Sequence, residues 1–220
     1  MKLDLHIHSN HSRDASGSPK DILRLCRMVG LDGFAITDHN AIEGSLEAFS
    51  AAKAEGAIVV RGVEVSSSEG HVLAFGVGEL IPRGLTAAET IEKIHAAGGV
   101  CVAAHPKRFP SGVGLELAKT GKFDGIEVIN SGSSRRSNRL ARKVAEEKGF
   151  AVTAGSDAHA LEQVGRAYTI VDTVGSEDDV IEAIRKGSTR AGGRSRTSVE
   201  GVRYSWETLV EWLRGDFRRL

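Results

Sequence analysis

Short apolar, β-branched runs alternate with longer helical patterns along this chain, and that alternation limits what it can fold into. The pattern predicts strands at 2–8, 33–37, 58–65, 71–76, 100–104, 125–129, 151–154 and 167–171. It predicts helices near 19–29, 43–54, 87–97, 134–148 and 177–186. Start and stop signals agree. Ser18-Pro19 is an N-cap followed by proline at the first helical position. Thr86-Ala87-Ala88-Glu89 fits a capping box. Gly30, Gly56, Gly98, Gly149 and Gly187 stand where left-handed C-terminal caps belong. Runs apolar on both faces predict a parallel sheet covered by helices. Seven or eight such units favour a closed barrel over an open sheet. In a barrel the strand C-termini converge on one mouth.

The acids and histidines follow the same punctuation. Asp4-Leu5-His6-Ile7-His8 opens the chain, and Thr37-Asp38-His39 closes the second strand. Glu64, His71, His105-Pro106 and Ser156-Asp157-Ala158-His159 follow. Six of the eight histidines fall at strand ends. His6-x-His8 on a strand puts both imidazoles on one side, because side chains alternate with period two. That is bidentate geometry for one ion, or a structural pair. Glu64 and Asp157 terminate otherwise apolar strands, where an unpaired carboxylate is expensive to bury and a cation removes the cost. Asp157 and His159 share the same spacing and can serve neighbouring ions. Asp38 either orients an imidazole or caps its loop. Pro106 fixes an extended backbone at His105. His71 is a ligand or a polar strand end, and His11 lies in the loop after the first pair. His95 reads as helix surface or packing.

Composition excludes several classes. The 220 residues suit one large domain or two small ones and carry 29 basic and 29 acidic side chains, so no global charge draws the chain to nucleic acid or membrane. The charge is uneven, with Arg190, Arg194, Arg196, Arg203, Arg214, Arg218 and Arg219 near the end. That basic end is a solvated surface or a contact for a phosphate backbone. Cys26 and Cys101 lie in apolar helix and strand patterns, as small buried hydrophobes in a reducing compartment do. No basic-then-apolar leader precedes the first strand, and no apolar run approaches a membrane span. A soluble, cytoplasmic chain is expected. Residues 205–213 read as a short helix with Trp206, Leu209, Val210 and Leu213 on one face, docked on the barrel.

In order, His6-x-His8, Asp14, Thr37-Asp38-His39, Glu64, His105-Pro106 and Ser156-Asp157-Ala158-His159 resemble the motifs of the PHP (polymerase and histidinol phosphatase) superfamily of metal-dependent phosphoesterases. The resemblance runs from residue 1 to about 190. It implies an α/β fold, a distorted (β/α)7 TIM-like barrel, over residues 1–190, with 191–220 as an arginine-rich segment and docked helix. It implies that His6, His8, Glu64 and Asp157 hold one ion. Glu64 would bridge to a second, held also by His105 and His71, and Asp14, His39 and His159 would hold a third. The family's further second-ion ligand comes from the strand at 125–129, which here offers only Glu127 and Asn130. Only about fifty residues separate His105 from Asp157, so the insertion that often covers the mouth in small nucleotide phosphoesterases is missing or much reduced.

The chemistry follows from the ligand types. Imidazole and carboxylate together suit Zn²⁺, Mn²⁺ or Fe²⁺ better than Ca²⁺. Two or three such ions clamp a phosphoryl oxygen and generate a bridging hydroxide, with Glu64, Asp157 and His159 as the catalytic set. Lys107, Arg108, Arg135 and Arg136 are either phosphate grips or solvated charges, the last two at a helix start that favours anions. The expected activity is hydrolysis of a phosphate ester of a nucleotide or another small phosphate. The alternatives are an exonuclease on RNA or DNA ends and a non-catalytic, ribonuclease P-type RNA-binding subunit.

Overall fold

A computed structural model describes residues 1–172, 175–197 and 199–200. Its elements run β1 (Lys2–Ile7), α1 (Pro19–Met28), β2 (Gly33–Ile36), α2 (Glu43–Glu55), β3 (Ile58–Ser67), β4 (Gly70–Phe75), α3 (Ala87–Ala96), β5 (Val100–Ala103), α4 (Leu115–Thr120), β6 (Gly125–Asn130), α5 (Arg135–Lys148), β7 (Ala151–Gly155), β8 (Ala167–Val171), α6 (Glu177–Arg185) and β9 (Thr189–Gly193). The anticipated caps form. The Ser18 side chain accepts from Asp21 N, and Thr86 and Glu89 close a reciprocal capping box. Gly56 and Gly149 end α2 and α5 at φ 64° and 71°, a region that favours glycine.

The strands form one sheet in the order β7-β6-β5-β4-β3-β2-β1-β8-β9. This is a nearly closed, barrel-shaped α/β sheet. The gap is bridged where the chain leaves β7. Asp157 N donates to His6 O at 2.7 Å, and His8 N donates to Ala158 O at 2.9 Å. The Thr169 hydroxyl also bonds the backbone N and O of Ala154.

The sheet is not uniformly parallel, which corrects the sequence reading. β4 runs antiparallel to β3 and β5, and β8 runs antiparallel to β1 and β9. The β3–β4 link is a tight hairpin across Ser68 and Glu69, too short for the crossover a parallel pair needs. Strand β9 was not anticipated. Its sequence, Thr-Arg-Ala-Gly-Gly, has no apolar alternation and joins β8 through backbone pairing. It spans the expected division at residue 190. The anticipated helix at 205–213, with Trp206, Leu209, Val210 and Leu213, lies outside the described residues, as do Arg203, Arg214, Arg218 and Arg219.

Helix α6 packs against β3, β5 and β7. Arg185 donates to Gly98 O just before β5, and Ile181 lies against Gly76 just after β4. It therefore covers the pole from which β5 starts, and buries Val180, Ile181 and Ile184 with Leu3, Val60, Phe75, Val100 and Val102. The opposite pole, where β1 and β5 end, is left to the histidines.

Closure requires Gly155 at the end of β7. A Cβ there would stand 2.2 Å from His6 Cβ and 2.7 Å from His6 N, and neither can move without displacing β1. Gly155→Ala is expected to lower stability by more than about 2 kcal/mol, or roughly 4–8 °C in melting temperature. Thermal unfolding of the variant checks this, and an unchanged melting point would contradict the tight β7–β1 seam.

Candidate metal centre

Three non-glycine residues have positive φ: Asn40 (52°), His105 (28°) and Asp157 (53°). Two of them are sequence-selected site residues, and the third follows His39; His105 therefore does not take the extended backbone expected before Pro106. Left-handed backbone disfavours a side chain, so the surrounding structure must hold each one there. The hydrogen bonds that do so are present. His105 N donates to Glu127 Oε2 at 2.8 Å, Asn40 N to Glu64 O at 3.0 Å, and Asp157 N to His6 O.

The side chains converge on Glu64, which is fully buried. Its Oε2 lies 3.3 Å from His6 Nε2 and 3.3 Å from His8 Nε2. Asp157 Oδ1 lies 3.5 Å and 3.2 Å from the same two nitrogens. A tetrahedron of ligands about 2.0–2.1 Å from one ion has edges of about 3.3–3.4 Å. These four contacts have that size. The other Glu64 oxygen, Oε1, is 2.9 Å from His71 Nδ1 and 2.9 Å from His105 Nε2. On the outer side, Asp14 Oδ2 is 3.0 Å from His159 Nε2 and 3.7 Å from His39 Nε2, while His39 Nδ1 is 3.0 Å from Glu64 Oε2. All nine sequence-selected residues thus lie in one continuous cluster, though His39 faces both the Glu64–His71 side and the His8–His159 side instead of belonging to the outer group alone. His6 Nε2 and Glu64 Oε2, which face each other across the inner group, are buried without a hydrogen-bond partner, as atoms that would hold a cation are.

Electrostatics fit that use. Burial would raise the Glu64 carboxyl, but His71, His6 and His39 override it and hold it well below the usual carboxylate range. Burial opposes Asp157 in the same way, and His6 and Arg108 again win. Asp14 is drawn down to about 2 against its burial by His159. Burial, with repulsion from His159 and His39, pushes His8 down to about 3, so it is a neutral imidazole with a free lone pair. His6 goes the other way. Burial opposes its charge, yet Glu127, Glu64 and Asp157 raise it well above the ordinary histidine value. In the ion-free cluster a proton on His6 balances the surrounding carboxylates.

The supporting residues were only partly legible. Glu127, noted in the sequence as a possible ligand, instead accepts from His6 Nδ1 at 2.9 Å and aims Nε2 at the cluster. Its second oxygen accepts from His105 N and from Asn130 Nδ2, and Asn130 also donates to Asp157. Asp38 does not touch an imidazole. It accepts from Ser9 N, Ser9 Oγ and Ser12 Oγ, and so caps the loop, while Ser12 Oγ accepts from His39 N. Asp4 was given no role. Fully buried, it accepts from Ser156 N and Gly165 N at 2.8 Å and pins the segment that carries Asp157 and His159. Its place two residues before His6, on the same strand face, was the available signal.

Of the four proposed phosphate grips, Arg108 reaches the cluster, with Nη1 on Asp157 Oδ2. Lys107, Arg135 and Arg136 are exposed. A Cβ on Gly132 would meet Asp157 Oδ2 at 3.0 Å and Arg108 Nη1 at 3.1 Å, so the turn leading into α5 lies against that pair. Two described arginines of the basic end are ion-paired, Arg190 with Asp172 and Arg194 with Glu200. Arg196 N donates to Ser133 O, bringing that segment to the same turn. His11 faces Glu47 on α2 at 3.5 Å and not the cluster. Among the described residues, no helix is long and apolar enough to cross a membrane.

Comparison with known proteins agrees with the fold. The PHP domain model matches residues 4–150, and the PHP-associated model matches residues 135–189. An uncharacterized protein of Methanocaldococcus jannaschii is 37% identical over 142 residues, covering 60% of this chain and 82% of that protein. A 5'-3' exoribonuclease of Haemophilus influenzae is 31% identical over 144 residues, covering 62% of this chain but 48% of that protein. The fold is similar to that of a two-domain protein of Bacteroides vulgatus containing a PHP-like metal-dependent phosphoesterase. There the TM-score is 0.70 at 22% identity, over 88% of this chain and 65% of that one. The chain belongs to the PHP domain family of metal-dependent phosphoesterases.

Glu127, Glu64 and Asp157 raise His6 against its burial, so a cation entering the cluster competes with a proton for that ring. Metal uptake should therefore release protons, and affinity should rise with pH through and above the ordinary histidine range. Calorimetry in buffers of different ionisation enthalpy measures both. Binding that neither releases protons nor tightens with pH would contradict the assignment.

Proposed function

We propose that this chain hydrolyses a phosphate ester of a nucleotide or similar small phosphate, using two or three divalent ions held by His6, His8, Asp14, His39, Glu64, His71, His105, Asp157 and His159. The carrying observation is the set of four contacts of 3.2–3.5 Å that His6 and His8 make with Glu64 and Asp157, the edge lengths of a four-ligand ion site. The donor set is nitrogen and carboxylate oxygen without sulfur, which suits Zn²⁺, Mn²⁺ or Fe²⁺. Bound there, the ions supply charge neutralisation at the phosphoryl group and an activated water.

The chain's own residues do the rest. Glu64 is shared between the inner group and the His71–His105 group, so it sets their spacing. Asp157 orients His8 on one oxygen and receives Arg108 on the other. That contact places the Arg108 guanidinium at the rim, where it can transfer from the carboxylate to a substrate phosphate. His159 keeps a proton on Nδ1, bonded to Asp157 O at 3.0 Å, and turns Nε2 toward Asp14. Lys107, Arg135 and Arg136 supply exposed cations around Arg108 for a second phosphate or a sugar. Without a large insertion over the mouth, a simple monoester is poorly enclosed, so nucleotides are favoured.

A second reading is removal of nucleotides from RNA ends. The Haemophilus relative's name favours it, as does the approach of Arg196 to the turn before α5. The complete ligand cluster speaks against a purely RNA-binding role.

Glu64→Gln and Asp157→Asn should each cut turnover more than tenfold, a barrier increase above about 1.4 kcal/mol, with folding retained by circular dichroism. An amide cannot neutralise the ions as a carboxylate does. A variant keeping more than a tenth of the wild-type rate would remove its residue from the machinery.

Arg108→Ala should raise KM for nucleotides several-fold more than for a simple aryl phosphate. Steady-state kinetics on a sugar phosphate, a mononucleotide and a short RNA at two salt concentrations separate the readings. A preference for the sugar phosphate would overturn the nucleotide reading, and a steep salt dependence confined to RNA would favour the nuclease.

A further inference from the structure

Away from the mouth, His95, Cys101 and Asp124 bring one nitrogen, one sulfur and one oxygen together. His95 lies in the last turn of α3, Cys101 is the second residue of β5, and Asp124 immediately precedes β6. Their ligand atoms form a closed triangle. His95 Nε2 is 2.8 Å from Asp124 Oδ2, Cys101 Sγ is 3.5 Å from His95 Nε2, and Cys101 Sγ is 3.3 Å from Asp124 Oδ2. We propose that this triad is a second, mononuclear site for a thiophilic divalent cation of the Zn²⁺ type, separate from the cluster at the barrel mouth.

Geometry supports it first. Tetrahedral Zn²⁺ with bonds of about 2.3 Å to sulfur and 2.0–2.2 Å to nitrogen and oxygen needs S–N and S–O edges of about 3.6 Å and an N–O edge of about 3.4 Å. The two sulfur edges are already within a few tenths of an ångström. Only the N–O edge must open, and His95 sits on an exposed helix end. The side chains of His95 and Asp124 are 40% and 23% exposed, so an ion has an entry path and the fourth position is free for water.

Hydrogen bonding supports it second. Asp124 Oδ2 receives three donors: Cys101 N at 2.7 Å, His95 Nε2 and Cys101 Sγ. Cys101 N and His95 Nε2 fill the two lone-pair directions of that oxygen, and the single thiol hydrogen is shared between it and Lys122 O at 3.7 Å. A cation relieves the crowding. The thiol loses its proton to solvent as the metal–sulfur bond forms, and the imidazole moves its hydrogen from Nε2 to Nδ1. One proton leaves per ion bound. Without the ion, burial and the Asp124 charge hold the thiol protonated, so Cys101 is no nucleophile. The His95 nitrogen that faces the thiol is also the one that faces Asp124, unlike a relay in which the acid holds the opposite nitrogen.

The site lies at the start of β5, and His105 lies beyond its end, about 13 Å away along the strand. An ion here would tie α3 to the starts of β5 and β6 without touching the mouth.

Co²⁺ titration of the full chain tests this, because a thiolate-to-cobalt charge-transfer band reports sulfur ligation alone. The mouth cluster contains no cysteine, and the other cysteine, Cys26, is buried in α1. The band should appear with an amplitude of one site per chain, survive Cys26→Ser and vanish in Cys101→Ser. His95→Ala, at an exposed position, keeps the test valid should Cys101→Ser fail to fold. It should weaken the site by more than the roughly tenfold that even an outer partner of a metal ligand is worth. No band in the wild type, a band retained in Cys101→Ser, or unchanged affinity in His95→Ala would each overturn the proposal.

Discussion

Glu64 is the constraint on which the rest of this structure depends. Five imidazole nitrogens, from His6, His8, His39, His71 and His105, lie within 3.3 Å of the two oxygens of this one buried carboxylate. An isolated carboxylate at zero exposure is costly by several kilocalories per mole, and it persists only with opposite charge around it. The barrel brings its partners from four separate strand ends, with His6 and His71 favoured in the charged form and His8 and His39 in the neutral one. Closing the sheet and compensating Glu64 are therefore one problem, and the residues that do one also do the other. His6 shows it most clearly. Its backbone carbonyl accepts from Asp157 N across the seam, while its ring joins Glu127 to the cluster.

The support behind the cluster is nearly all acidic. Asp4, Asp38 and Glu127 are buried one layer behind the cluster, the first two satisfied by backbone and hydroxyl donors and Glu127 by the His6 ring, the His105 N–H and the Asn130 amide. These acids fix loops and ring orientations. Glu127 also raises the basicity of His6, the imidazole it contacts. The left-handed backbone at His105 and Asp157 has the same origin. Glycine would be cheaper at both, but glycine carries no ligand.

Much of this was legible in the chain, and the exceptions have physical reasons. Caps at Ser18, Thr86, Gly56 and Gly149 were readable because they are local. The ligands were readable because strand alternation puts His6 and His8 on one side, and because charged residues ending apolar runs need partners. The antiparallel course of β8 was not readable, since buried strands look alike in either direction, whereas for β4 the signal was the link after β3, too short for a parallel crossover. Strand β9 joins through its backbone and leaves no side-chain signature. The role of Glu127 was not readable, because an acid on a strand gives no hint of which way its partner, 121 positions earlier, will turn. His95 read as surface and Cys101 as core. Only the packing of α3 against β5 brings the two together.

The most direct test of the account is a crystal structure of the Mn²⁺-loaded protein with anomalous diffraction. The account predicts an anomalous peak about 2.0–2.2 Å from His6 Nε2, His8 Nε2, Glu64 Oε2 and Asp157 Oδ1, with Glu127 still on His6 Nδ1. A cluster that stays free of anomalous density at saturating Mn²⁺, with Glu64 hydrogen-bonded only to protonated histidines, would contradict it.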